Sequence, residues 1–142
     1  MELLLFAARL HPETIQMPDA VAVTLEIVEG VPVLSLAYEP QVFLTGGFGS
    51  TLVSQYSKAV GDASAKSKSL ILVIRADTAG SALVQALVRL YQAVARESGH
   101  LFCVGYPDEY LPSLSALGVT GLPLFHIAPS REAAIAYLRQ RV

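Results

Sequence analysis

The chain has 142 residues, 53% of them hydrophobic and 15% charged, enough for one ordinary domain that buries its own core without metal or disulfide staples. Its formal net charge of −2, with Lys and Arg scattered along the sequence, excludes the clustered cations that displace counterions from nucleic acid, so DNA and RNA are not expected partners. So few charges on so apolar a chain imply that some apolar surface faces a partner or a second copy.

The opening MELLLFAARL is apolar but short, lacks a basic start, and runs into His11-Pro12-Glu13 rather than a small-residue cleavage site, which makes it a poor signal peptide. No run reaches membrane-spanning length, and the expectation is a soluble, cytoplasmic protein with no membrane partner. Residues 1–20 read as an N-terminal extension or edge element of a single domain spanning 1–142. VAVTLEIVEGVPVLSLAYEP then alternates apolar and polar residues on both sides of Glu29-Gly30, the pattern of a β-hairpin. Pro40 interrupts, QVFLT can extend or restart a strand, and GGFGS at 46–50 breaks the pattern. In TLVSQYSKAVGDA, Leu52, Val53, Tyr56, Ala59 and Val60 recur at helical spacing behind Ser50, a reasonable N-cap. ASAKSKS is a polar connection into LILVI, an apolar run that reads as a strand buried on both faces.

SALVQALVRLYQAVARES is the longest helical pattern, with Leu83, Leu87, Leu90, Tyr91 and Val94 on one stripe and Gly99 as its stop. LFCVG makes the next strand, PDEYLPSLSALG a short helix closed by Gly118, LPLFHI the last strand, and SREAAIAYLRQRV a helix capped by Ser130. The alternation predicts an α/β fold: a mixed sheet with an N-terminal hairpin and about four helices packed mainly on one face. LILVI and LFCVG should be adjacent central strands, with Cys103 a buried, inert thiol.

The chemical signals are weak. GGFGS lacks the Lys-Ser/Thr of a P-loop and the spacing of a dinucleotide fingerprint, so it reads as a turn with permissive glycines. His11, His100 and His126 are far apart in sequence and show no ligand-like spacing with Cys103; no metal and no cofactor are expected. Asp108 and Glu109 open a helix, where negative charge suits the dipole. No Ser-His-Asp arrangement can be argued from order alone, and no catalytic residue is assigned.

Two blocks, SALVQALVRLYQAVARESGHLFCVG at 81–105 and LPSLSALGVTGLPLFHIAPSREAAIAYL at 111–138, resemble the STAS family of anti-sigma-factor antagonists and sulfate-transporter tails. The first looks like the family's central helix and the strand after it, the second like its closing elements. The resemblance implies a non-catalytic protein-binding module of bacterial transcription or stress regulation. Its implied partner is an anti-sigma kinase or related switch protein, or a second copy as a homo-oligomer. It also implies a phosphoacceptor at the start of the central helix, in an Asp-Ser-Ser-Gly-like motif. Matching letters makes Thr78 of Asp77-Thr78-Ala79-Gly80 the acceptor; keeping the helix length puts Gly80-Ser81-Ala82-Leu83 on the motif and makes it Ser81. The second register is preferred, because an insertion inside a packed helix rotates its buried stripe off the core. In it Gly80 and, within LILVI, Val73 replace the acidic residues that hold metal or orient a hydroxyl in phosphoryl transfer. A capping role for Ser81 without phosphorylation is therefore favoured, with Asp77 to Ala82 as the partner-binding segment. The competing reading is a small-molecule-binding or degenerate enzymatic α/β domain.

Overall fold

The computed structural model describes residues 13–17, 21–37, 48–75 and 81–140. Glu13–Met17 (β1), Val21–Val28 (β2) and Val31–Ala37 (β3) form an antiparallel meander in which β2 pairs with both β1 and β3. The β2–β3 hairpin turns through Glu29 at φ 52° and Gly30 at φ 81°, both left-handed as a two-residue type I′ turn requires. From there the pattern becomes parallel. Phe48–Val60 (α1) leads to Leu70–Arg75 (β4), Ser81–Arg96 (α2) to Leu101–Val104 (β5), and Leu111–Ala116 (α3) to Phe125–Ala128 (β6), with Arg131–Gln140 (α4) last. The sheet order is β1-β2-β3-β4-β5-β6, mixed as expected, with β4 and β5 adjacent interior strands, β5 next to the edge rather than central, and Ile71 opposite Phe102.

Strand periodicity divides the core between the two faces. Leu34, Leu36, Leu70, Leu72, Ile74, Leu101 and Cys103 pack with Leu52 and Tyr56 of α1 and with Leu83, Leu87, Leu90 and Val94 of α2. The α2 stripe is the one its sequence spacing predicts, with Tyr91 only half-buried at its margin; each fully buried leucine in it contributes roughly 1.5–3 kcal/mol. Val33, Ile71, Phe102 and Val104 point the other way, onto Ala134 and Ile135 of α4. Three helices thus cover one face and α4 covers the other, where it is held at its N-terminus by Ser130, whose Oγ accepts the Ala133 N–H at 3.0 Å.

Two sequence expectations are corrected. Ser50 does not cap α1, because the helix already begins at Phe48; its Oγ instead accepts a hydrogen bond from Arg89 Nη1 of α2 at 3.0 Å. Gly49 lies inside α1 because α2 passes too close for a side chain: a Cβ there would sit 2.9 Å from Arg89 Cδ and 3.2 Å from the Ala86 backbone. At the other end of α2 the left-handed residue is Ser98, at φ 64°, not Gly99. The Gly99 N–H donates to Val94 O and the Ser98 N–H to Ala95 O, the bonding pattern of a Schellman motif. Gly99 is required for a different reason, since its Cβ would fall 2.3 Å from Lys68 O. Gly118, at φ 80°, does follow α3 as expected. QVFLT falls outside the described residues.

Candidate functional site

All parallel strands of the sheet finish at one end, and α1, α2 and α4 begin there. This is where the sequence places the site. Ser81 is the first residue of α2 and Ala82, half-buried, the second. The side chain of Ser81, and Asp77, Thr78, Ala79 and Gly80 entirely, lie outside the described residues. The surroundings of the segment are defined by its neighbours. Arg75 ends β4 exposed. After β5 the chain turns at Gly105, φ 83°, directly over β4: a Cβ at Gly105 would lie 2.3 Å from Ile74 O. That turn sends Tyr106 into the core on the α2 face and leaves Asp108 and Glu109 exposed.

Three helix N-termini at this end present their positive dipole ends, which favour an anion. The first turns of α1 and α2 carry no acidic residue. Val73 is half-buried on the α4 face and packs against that cluster, so it faces away from α2. The starts of α1 and α2 therefore suit a negative charge, while Asp108, Glu109 and Glu132 lie exposed at the same end, and neither β4 nor the first turn of α2 supplies a carboxylate to coordinate a metal or orient a hydroxyl. Among the described residues no cluster of three His, Cys, Asp or Glu has metal-binding geometry. Cys103 is fully buried, and burial pushes its thiol up to about 12, where it is neither a nucleophile nor a ligand at neutral pH.

The opposite end of the sheet brings together residues that sequence reasoning kept apart. His100 Nδ1 and His126 Nε2 lie 2.8 Å apart, because His100 precedes β5, His126 is the second residue of β6, and the parallel register sets Phe102 opposite His126. Phe102 stacks on His126 with ring centroids 4.7 Å apart, and Tyr137 of α4 packs on His126 at 5.0 Å and on His100 at 5.9 Å. Beside them opens a cleft of about 450 Å³, walled by Val31, Ile135 and Leu138 and edged by Lys66, Ser69 and Arg139. Ser69 Oγ accepts the His100 backbone N–H at 2.9 Å, fixing the starts of β4 and β5. The sequence carried half of this signal: alternation puts His100 and Phe102 on one face of their strand. It could not supply the register with β6.

The fold is that of solved anti-sigma factor antagonists. One from Mycobacterium paratuberculosis aligns with a TM-score of 0.59 at 19% identity, over 88% of this chain and 99% of that one. The anti-sigma factor antagonist SpoIIAA, in its unphosphorylated form, aligns with a TM-score of 0.51 at 14% identity, over 82% and 97%. SiaC from Pseudomonas aeruginosa, in its apo form, gives 0.51 at 10% identity, over 80% and 97%. No family model and no curated protein matches the sequence. At these identities the likeness is one of fold, and it bears out the α/β architecture implied by the STAS resemblance.

Proposed function

We propose that this chain is a non-catalytic, cytoplasmic protein-binding module that acts as anti-sigma-factor antagonists do, docking onto an anti-sigma kinase or related switch protein through Asp77 to Ala82 at the start of α2. The observation that carries this is the near-complete overlap with an anti-sigma factor antagonist, 99% of whose chain is covered. The opening of α2 at Ser81 supports the register in which Ser81, rather than Thr78, stands at the regulatory position. With no carboxylate on β4 or in the first turn of α2, phosphorylation is not the main event, and the module acts as a constitutive binder. No helix among the described residues is long and apolar enough to cross a membrane.

The test is Ser81→Glu. A helix N-terminus favours an anion by roughly 0.3–1 kcal/mol, so the melting temperature should hold or rise slightly. Affinity for a partner captured with the wild-type protein should fall at least about tenfold, as a charge is buried in the contact. An intact fold with unchanged affinity would place the interface elsewhere. A second reading, binding of a small molecule, is favoured by the cleft beside His100, whose size lies within the range of ligand pockets. A compound that raises the melting temperature without weakening partner capture would support it.

A further inference from the structure

The cleft at the beginning of the strands has two kinds of wall. One is apolar: Val31 of β3, with Ile135 and Leu138 of α4. Val31 and Ile135 are buried and Leu138 is half-buried. The other is polar, made by Lys66, Ser67 and Ser69 before β4 and by Arg139 near the end of α4.

The polar wall is held in place by the fold itself. The Lys66 and Ser67 N–H groups both donate to Gly30 O, at 2.7 and 3.1 Å, which pins the segment to the hairpin turn. Ser67 Oγ accepts the Ser69 N–H at 3.1 Å, and Ser69 Oγ accepts the His100 N–H at 2.9 Å. Each hydroxyl thus serves the backbone as an acceptor, and neither donates its own O–H to an acceptor among the described residues. That donor capacity is left for a ligand. Ser69 is buried, where an unmet donor costs more than at the surface.

Lys66 and Arg139 set two positive charges against the one negative charge of Glu29, a surplus of one. Glu29 is committed to Arg139, Oε1 to Nη2 at 2.6 Å, and Lys66 makes no ion pair among the described residues. Ammonium, guanidinium and hydroxyl groups all donate, so the polar wall selects an acceptor that carries negative charge. A surplus of one charge beside an apolar wall fits a single carboxylate on an apolar body, whereas a di- or triphosphate would bring more negative charge than the cleft balances. At about 450 Å³ the cleft lies toward the small end of ligand sites, which limits that body to a short chain or one ring.

We propose, resting on the small-molecule reading of this cleft, that it binds a small monocarboxylate with an apolar body. Lys66 and the Ser67 and Ser69 hydroxyls hold the carboxylate, and Val31, Ile135 and Leu138 receive the body.

The test is NMR titration of the full chain with hexanoate, hexanamide and acetate, read at the backbone amides. Hexanoate should give saturable shifts at Val31, Lys66 to Ser69 and Ile135 to Arg139. Hexanamide keeps the body without the charge and should bind at least about tenfold more weakly. Acetate keeps the charge without the body and should be weakened at least as much. Lys66→Met preserves the stem that lies over Gly30 and should cost hexanoate about tenfold while leaving hexanamide unchanged. Hexanamide binding as tightly as hexanoate overturns the carboxylate assignment and leaves the small-molecule reading standing, as does unchanged hexanoate affinity in Lys66→Met. No saturable shift at the cleft from either compound overturns both. Hexanoate shifts confined to the starts of α1 and α2 would put the anion at the other end of the sheet and overturn the proposal as well.

Discussion

The two ends of the sheet are built from the same strands but carry opposite chemistry. Where the parallel strands finish, the described chain presents helix N-termini, Gly49 and Gly105 in close backbone contact, and first turns of α1 and α2 without acidic residues. Where they begin, it presents the histidine pair, Phe102, Tyr137, the Glu29–Arg139 ion pair and the Tyr56 hydroxyl, which donates to Lys68 O. The same topology produces this asymmetry. Helices that follow parallel strands all run back the same way, so their positive ends gather at one end and their negative ends at the other, where Lys58, Arg96 and Arg139 sit in the last turns. The difference teaches that one topology can gather positive helix ends at one end of the sheet and a cluster of aromatic and histidine side chains at the other.

If the beginning of the strands is the more tightly specified end, the largest effect should come from Phe102→Ala. It removes a 2%-exposed ring that touches both histidines and Tyr137 and should cost about 3–5 kcal/mol in urea unfolding. Gly105→Ala probes the finishing end. Its Cβ meets Ile74 O at 2.3 Å and its φ is 83°, so overpacking and backbone strain together should cost about 2–3 kcal/mol. A loss at Gly105 as large as that at Phe102 would break the contrast between a packed end and a plain one.

A further effect concerns alkaline pH. Burial, with a lesser contribution from Glu97, pushes Tyr56 from 10.0 to about 12, and burial pushes Cys103 from 9.0 to about 12. Both hold their protons more tightly when folded, so their contribution is complete below the unfolded values and is lost as pH rises from about 9 through 12. Stability measured across that window should fall, and the fall should begin about one unit later in Cys103→Ala. An unchanged onset in that variant would remove Cys103 from the account. Tyr56→Phe should lower stability at pH 7 by about 1 kcal/mol, the net value of its hydrogen bond to Lys68 O.

Local chemistry by itself determined much of this protein. Glu29-Gly30 specified the hairpin turn, the continuous apolar runs of β4 and β5 specified two-sided burial, the stripe from Leu83 to Val94 specified which side of α2 enters the core, and Ser130 specified the start of α4. Each follows from backbone freedom or side-chain periodicity within a few residues. Tertiary structure decided what depends on a second chain segment. Gly49 and Gly99 are glycines because α2 and the chain before β4 pass too close for a side chain, and Ser50 serves Arg89 rather than its own helix. The histidines were legible as strand-flanking residues but not as a pair. Alternation tells which face a residue occupies, and only the register between β5 and β6, set by how the intervening α3 segment packs, brings two rings 26 residues apart into contact.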